Sequence, residues 1–142
     1  MVSQIDQNSS PLTIKWQEVN ILTLAYLGDA VYELWVRSHL LTKGIAKVED
    51  LHKAAVHYVQ ARFQASLLKL ILPELDETET GVVKRGRNAK GHHPRNIDVV
   101  TYRHATAFEA LVGYWYLAGC EERMQGIFSR IDDLTVQIDS EQ

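Results

Sequence analysis

A chain of 142 residues, 46% of them apolar, is sized for one domain around a single core, which excludes two enzymatic domains. Its 15 Lys and Arg against 18 Asp and Glu leave a formal net charge of −3, so bulk charge cannot hold nucleic acid and any such contact must be local. The single cysteine, Cys120, excludes an internal disulfide and a Cys-x-x-Cys site, and no apolar run nears the ~18–20 residues that cross a bilayer; a cytoplasmic location is expected.

Residues 1–14 read as a flexible tail, because Met1 to Pro11 is polar and lacks the basic and apolar regions of a signal sequence. One folded domain is expected over 15–138. With only three prolines, no alternating β-branched run, and apolar residues three or four apart, the chain reads as all-α, a compact helical bundle. A first helix is expected from Lys15 or Asn20 to Leu41, with Ile21, Leu24, Leu27, Val31, Leu34 and Trp35 as its apolar stripe. Tyr26, Ala30 and Val36 make its other faces apolar, so burial on several sides is expected.

A second helical region spans Val48 to Leu72, with a break near Tyr58, and Pro73 ends it. Asp76 to Asn88 reads as a shorter helix, acidic in its first turns and basic in its last, which suits the helix dipole. Ala89 to Asn96, with Gly91, His92, His93 and Pro94, reads as a loop. A strong helix from Asp98 to Leu117 and a final amphipathic one from Glu121 to Val136 complete the chain. No internal repeat is present.

Two carboxylates stand out. Asp29, after Gly28, is the only charged residue between Glu18 and Glu33, and Glu109 is the only Asp, Glu, Lys or Arg between Arg103 and Glu121. Glycine inside a helix costs about 1 kcal/mol against alanine, so Gly28 and Gly113 suggest helices crossing at close range. Such a crossing would bring the two acids together as an oxygen-lined pocket suited to Mg²⁺. Ion pairing with Arg37 or Arg103 explains isolated acids equally well at this stage.

The run Leu24-Ala25-Tyr26-Leu27-Gly28-Asp29-Ala30-Val31-Tyr32-Glu33 resembles the signature helix of the ribonuclease III family, and Thr106-Ala107-Phe108-Glu109-Ala110-Leu111-Val112-Gly113 resembles its other catalytic helix. Ala25 and Thr106 stand where that family usually carries a glutamate and an aspartate. This reduced acid set, together with Lys84-Arg85-Gly86-Arg87-Asn88-Ala89-Lys90, is similar to the Mini-ribonuclease III group, which lacks a double-stranded-RNA-binding domain. The 25 residues after Leu117 are too few for one.

The resemblance implies a homodimeric, metal-dependent endonuclease that cuts both strands of double-stranded RNA, leaves 5′-phosphate and 3′-hydroxyl ends, and matures precursor large-subunit (23S) rRNA. It implies Asp29 and Glu109 as catalytic metal ligands for Mg²⁺, with Mn²⁺ as an alternative, and Tyr26 at the dimer interface. A ribosomal protein is a further candidate partner, and no membrane contact is expected.

Five Lys or Arg and no acid lie between Thr80 and Ile97, against 10 basic and 18 acidic side chains elsewhere. Lys84, Arg85, Arg87, Asn88, Lys90 and Arg95 are therefore the candidate RNA-binding residues, in a basic loop over about 84–97 whose Gly86 and Gly91 let it follow a groove. His52 and His57, five apart, and the adjacent His92 and His93 do not make a metal pair and read as surface or RNA-facing residues. The single Glu-x-x-His, Glu49 to His52, is half of what a di-iron bundle needs. Glu33 reads as a neighbour of the site or a partner of Arg37. The rival functions are a non-catalytic RNA-binding or ribosome-associated protein, and a structural helical dimer.

Overall fold

Asparagine and aspartate open three of the helices. Asn20 accepts a hydrogen bond from the Leu22 amide (2.8 Å) and starts α1, Ile21–Thr42. Asp76 starts α4, Glu77–Asn88, with a reciprocal capping box to Glu79, and Asp98 accepts from the Thr101 amide (2.9 Å) to start α5, Val99–Leu117. Between and after these lie α2, Val48–Val59, α3, Ala61–Ile71, α6, Glu121–Phe128, and α7, Ile131–Ser140. This computed structural model describes residues 14–140; residues 1–13 of the expected tail lie outside the described residues. Among the described residues every regular element is helical, and no helix is long and apolar enough to cross a membrane.

The core is organised around α5, against which α1, α3 and α4 all pack. Phe108, Leu111 and Trp115 of α5 are fully buried, as are Leu24 and Tyr32 of α1 and Leu68 and Ile71 of α3. Burying each such side chain contributes about 1.5–3 kcal/mol, so the long helices of the site are also the best-anchored ones. Tyr32 tolerates full burial because its hydroxyl donates to the Tyr58 carbonyl (2.8 Å).

Four expectations need correction. The buried face of α1 is Leu24, Gly28, Tyr32, Val36 and Leu40, spaced by four, rather than the stripe through Leu27, Val31 and Leu34; Leu34 is 68% exposed. A glycine in backbone contact and a hydrogen-bonded tyrosine mark that face, and hydrophobicity alone does not rank them as core. The break expected near Tyr58 is present, at Gln60, whose extended backbone separates α2 from α3.

The final helix is two, because the Arg130 amide bonds to the Ile127 carbonyl, three residues back, while its guanidinium is held by Glu74 (2.6 and 2.8 Å). The apolar pattern Met124, Ile127, Phe128, Ile131, Leu134, Ile138 stays in phase across that turn, so periodicity reads through it. Lys84, Arg85, Arg87 and Asn88 belong to the last turns of α4, as the expected helix to Asn88 has it, so the basic loop expected over about 84–97 narrows to residues 89–98. Gly86 is buried, and a Cβ there would lie 2.8 Å from the Ala107 Cα; it serves the crossing of α4 with α5, not a groove-following backbone.

Candidate active site

Helices α1 and α5 cross main chain to main chain. A Cβ on Gly28 would lie 2.7 Å from the Gly113 amide nitrogen and closer still to the Glu109 carbonyl oxygen. One on Gly113 would meet the Leu24 carbonyl in the same way. The residue after Gly28 is Asp29 and the carbonyl pressed against Gly28 is that of Glu109, so the crossing itself sets the two carboxylates side by side. They line one pocket of about 320 Å³.

Asp29 is exposed and Glu109 half-buried. The Glu109 carboxyl is pushed up to about 9, first by burial, then by hydrogen bonding to and repulsion from Asp29, with the Glu33 charge adding to it. The Gln64 side chain, 2% exposed on α3, opposes this by hydrogen bonding to Glu109, and its amide also donates to the Val59 carbonyl (3.4 Å). The ion-pair explanation does not hold for these acids: Arg37 pairs with Glu33 (3.9 Å), and among the described residues neither Arg37 nor Arg103 reaches Asp29 or Glu109.

The carboxylate clamped by an arginine is a different one. Glu79, 2% exposed, accepts from the Trp115 indole (2.7 Å), from Arg123 through both oxygens (3.0 Å each) and from the Asp76 amide (2.9 Å). Its sequence position suggests only a first-turn acid. Its four donors make it a structural joint between α4, α5 and α6.

Each wall of the acid pocket is a helical face or a loop. Leu22, Ala25, Tyr26 and Asp29 come from one face of α1, at i, i+3, i+4 and i+7, while Tyr102, Thr106 and Glu109 form the matching face of α5. Ala25 and Thr106 thus line the pocket with a methyl and a hydroxyl. Gly91 and His92 close the third side from the loop.

Three pocket or near-pocket residues had no signal in the sequence that placed them at this site. Gln64 is a polar side chain in phase with Leu67, Leu68 and Ile71, a pattern that becomes informative only once Glu109 is seen opposite. His92 reads only as a surface or RNA-facing loop residue, not as part of the acid pocket, and Tyr102 as one more helical aromatic.

The candidate RNA-binding residues are all exposed: Lys84, Arg85, Arg87 and Asn88 at the end of α4, and Lys90 and Arg95 on the loop. Among the described residues none of the five cations among them forms an ion pair. Tyr26 lies at the pocket mouth, 82% exposed, and begins an outward row on α1 with Ala30 and Leu34.

The described residues hold no group of three His, Cys, Asp or Glu side chains arranged to bind a metal; the donor set at the crossing is two carboxylates. Two hard oxygen ligands, one kept protonated by burial and by the charge of the other, are a set that a hard divalent cation would relieve. The residues present fit such an ion.

Comparison with known proteins gives a consistent result. Residues 22–119 match the family model described as Ribonuclease III domain. A protein named Mini-ribonuclease 3 from Desulfitobacterium hafniense is 62% identical over 87% of this chain and 79% of its own length, and one from Brevibacillus brevis is 57% identical over 76% and 81%. A crystal structure of a Fusobacterium nucleatum protein superposes with a TM-score of 0.77 at 34% identity, covering 83% of this chain and 98% of that one.

Proposed function

The chain belongs to the ribonuclease III family, and from that premise we propose that it is a homodimeric endonuclease that hydrolyses phosphodiester bonds of double-stranded RNA at Asp29 and Glu109, using Mg²⁺ or Mn²⁺. The observation that carries the reading is the convergence of these two unclamped acids in one pocket beside an acid-free cationic segment. Cations at the end of α4 and on the loop neutralise backbone phosphates and recognise an A-form duplex by shape, without reading sequence.

Asp29 and Glu109 would hold the divalent ion, which would supply a polarised water and a counter-charge for the phosphate. The protein does the rest by placement. The Gly28–Gly113 crossing fixes the separation of the two carboxylates, and Gln64 restrains the Glu109 side chain from below. Ala25 and Thr106 leave room beside the acids, and Asp29, the more exposed of the two, is the carboxylate an incoming strand would meet first. The outward row Tyr26, Ala30 and Leu34 is apolar surface that a second copy would cover, which suits a dimer carrying one site for each strand.

The proposed substrate is precursor large-subunit rRNA, acted on in the cytoplasm. The test is cleavage of a duplex made from the ends of that precursor, beside an unrelated duplex of equal length, with Mg²⁺, Mn²⁺ or chelator. Asp29→Asn and Glu109→Gln should each lose cleavage and keep the fold and duplex binding. Turnover retained in either variant would sink the assignment, and equal cleavage of the unrelated duplex would remove the rRNA specificity.

A further inference from the structure

Among the described residues, the one backbone-to-backbone hydrogen bond between Lys90 and Ile97 runs from the Gly91 amide to the Ala89 carbonyl (3.2 Å), so backbone bonding does little to hold this segment in place. What lies against it is Tyr102. A Cβ on Gly91 would sit 3.3 Å from the Tyr102 hydroxyl oxygen and 3.6 Å from Leu22 Cδ2, so a methyl there would press lightly on the hydroxyl and a branched side chain would have to displace it. On the other side of Gly91's neighbour, the His93 ring meets the Tyr102 ring edge-on, with centroids 5.7 Å apart and planes at 65°. His93 also bonds through Nε2 to the Ile97 carbonyl, which closes residues 93–97 on themselves.

Tyr102 shares its helical face with Thr106 and Glu109, and all three line the acid pocket together with Gly91 and His92. The same phenol therefore touches the cationic segment and borders the carboxylate pair.

Resting on the reading of this site as a duplex-RNA endonuclease, we infer that Tyr102 is a positioning residue. It pins the loop at Gly91 and His93 against the acid pocket, so that Lys90 and Arg95 engage the same duplex at a fixed distance from Asp29 and Glu109. The ring supplies the contact with His93, and the hydroxyl fills the space beside Gly91, so the two halves of the latch are separable by mutation. Releasing it leaves the helices intact, because Tyr102 is only half-buried, and frees the loop to open locally.

The experiment has one arm that needs no RNA. Trypsin cleavage after Lys90 and Arg95, which tracks the open population of the loop, is compared in the wild type, Tyr102→Phe and Tyr102→Ala under native conditions. Cleavage should accelerate severalfold in Tyr102→Ala and less in Tyr102→Phe, with the thermal midpoint unchanged. In the second arm, Tyr102→Ala should bind duplex RNA more weakly, with a salt slope lower by up to about 1.8, because Lys90 and Arg95 contribute ~0.9 each. It should have almost no further effect when both cations are already alanine.

Gly91→Val forces the same contact from the loop side and should reproduce both results, which covers the case of a Tyr102 variant that fails to fold. Unchanged trypsin cleavage in all variants overturns the latch. Faster cleavage with unaltered duplex affinity and salt slope overturns its role in RNA engagement. If the wild type neither binds nor cuts duplex RNA, the endonuclease reading fails and the coupling to RNA with it, while the trypsin arm still decides whether the loop is latched.

Discussion

Replacing Gly28 by alanine adds one methyl group, and on an open helical face that change stabilises by about 1 kcal/mol. At Gly28 the new Cβ would lie 2.7 Å from the Gly113 nitrogen, whereas ordinary contact begins at 3.4 Å, so α1 and α5 must part by at least the 0.7 Å difference. Neither that nitrogen nor the still closer Glu109 carbonyl oxygen is the tip of a flexible side chain; both are main chain inside a helix. Over-packing of this kind costs about 1–3 kcal/mol and occasionally more, and parting the helices also loosens the contacts of Leu24, Tyr32 and Phe108.

A net loss near 3 kcal/mol is expected, a fall in the thermal midpoint of about 6–12 °C for a domain of this size. Displacing a reacting group by about 1 Å can cost some 10²-fold in rate, so turnover should fall further than stability. The assay is urea unfolding beside duplex cleavage for Gly28→Ala and Gly113→Ala, with Gly81→Ala and Gly126→Ala as controls, since nothing lies within 4 Å of a Cβ at either control position. The controls should gain stability while the crossing variants lose it. Gly28→Ala as stable and as active as Gly81→Ala would refute the crossing as the device that sets the acid pair.

Glu109 in the fold keeps its proton up to about 9 but loses it near 4.5 when unfolded, so the folded chain binds the extra proton between those values. Metal-free stability should therefore decline as pH rises from about 4.5 to 9, Asp29→Asn should flatten that decline, and Mg²⁺ binding at pH 7 should release a proton measurable by calorimetry in two buffers. Burial pushes the Glu79 carboxyl up, but Arg123, the Asp76 amide and Trp115 together outweigh it and hold it below its ordinary value. Its contribution is present above the unfolded carboxylate pKa and lost as pH falls through the folded one; Arg123→Met should cost about 3 kcal/mol and move that loss to higher pH, read from urea midpoints. Changing Lys84, Arg85 and Arg87 together to alanine should raise KM more than it lowers kcat and reduce the salt slope by up to about 2.7, checked by binding at several ionic strengths.

The helices were legible because their ends carry chemistry: Asn20, Asp76 and Asp98 cap them, and Gly44 and Gly119, both at positive φ, follow the ends of α1 and α5. The two isolated acids and the two helical glycines pointed to a crossing between them, since each pair departs from what an ordinary buried helix needs. Which face of α1 would be inside was not legible, because the closest contact is made by Gly28, a residue without a side chain to score. Glu79 and Gln64 are silent in the sequence for the opposite reason. A buried polar group makes sense only with its partners, and Arg123 and Glu109 lie 44 and 45 residues away along the chain. The Tyr102 contact depends on where a loop returns, which no local pattern encodes.

The uneven distribution of charge along the chain acts before any contact forms. Residues 80–97 carry five cations and no acid, Gly91 and His92 of that segment border the pocket, and the rest of the chain carries the surplus of acids, so charge is unevenly spread over a weak polyanion. A polyphosphate strand approaching from the wrong side meets repulsion, and one approaching the pocket meets attraction; both are felt within the Debye length of ~8 Å at physiological salt. Collisions are thus sorted by orientation in the last nanometre of approach, and an acidic protein gains selectivity for the productive encounter that a uniformly basic one would spread over its whole surface.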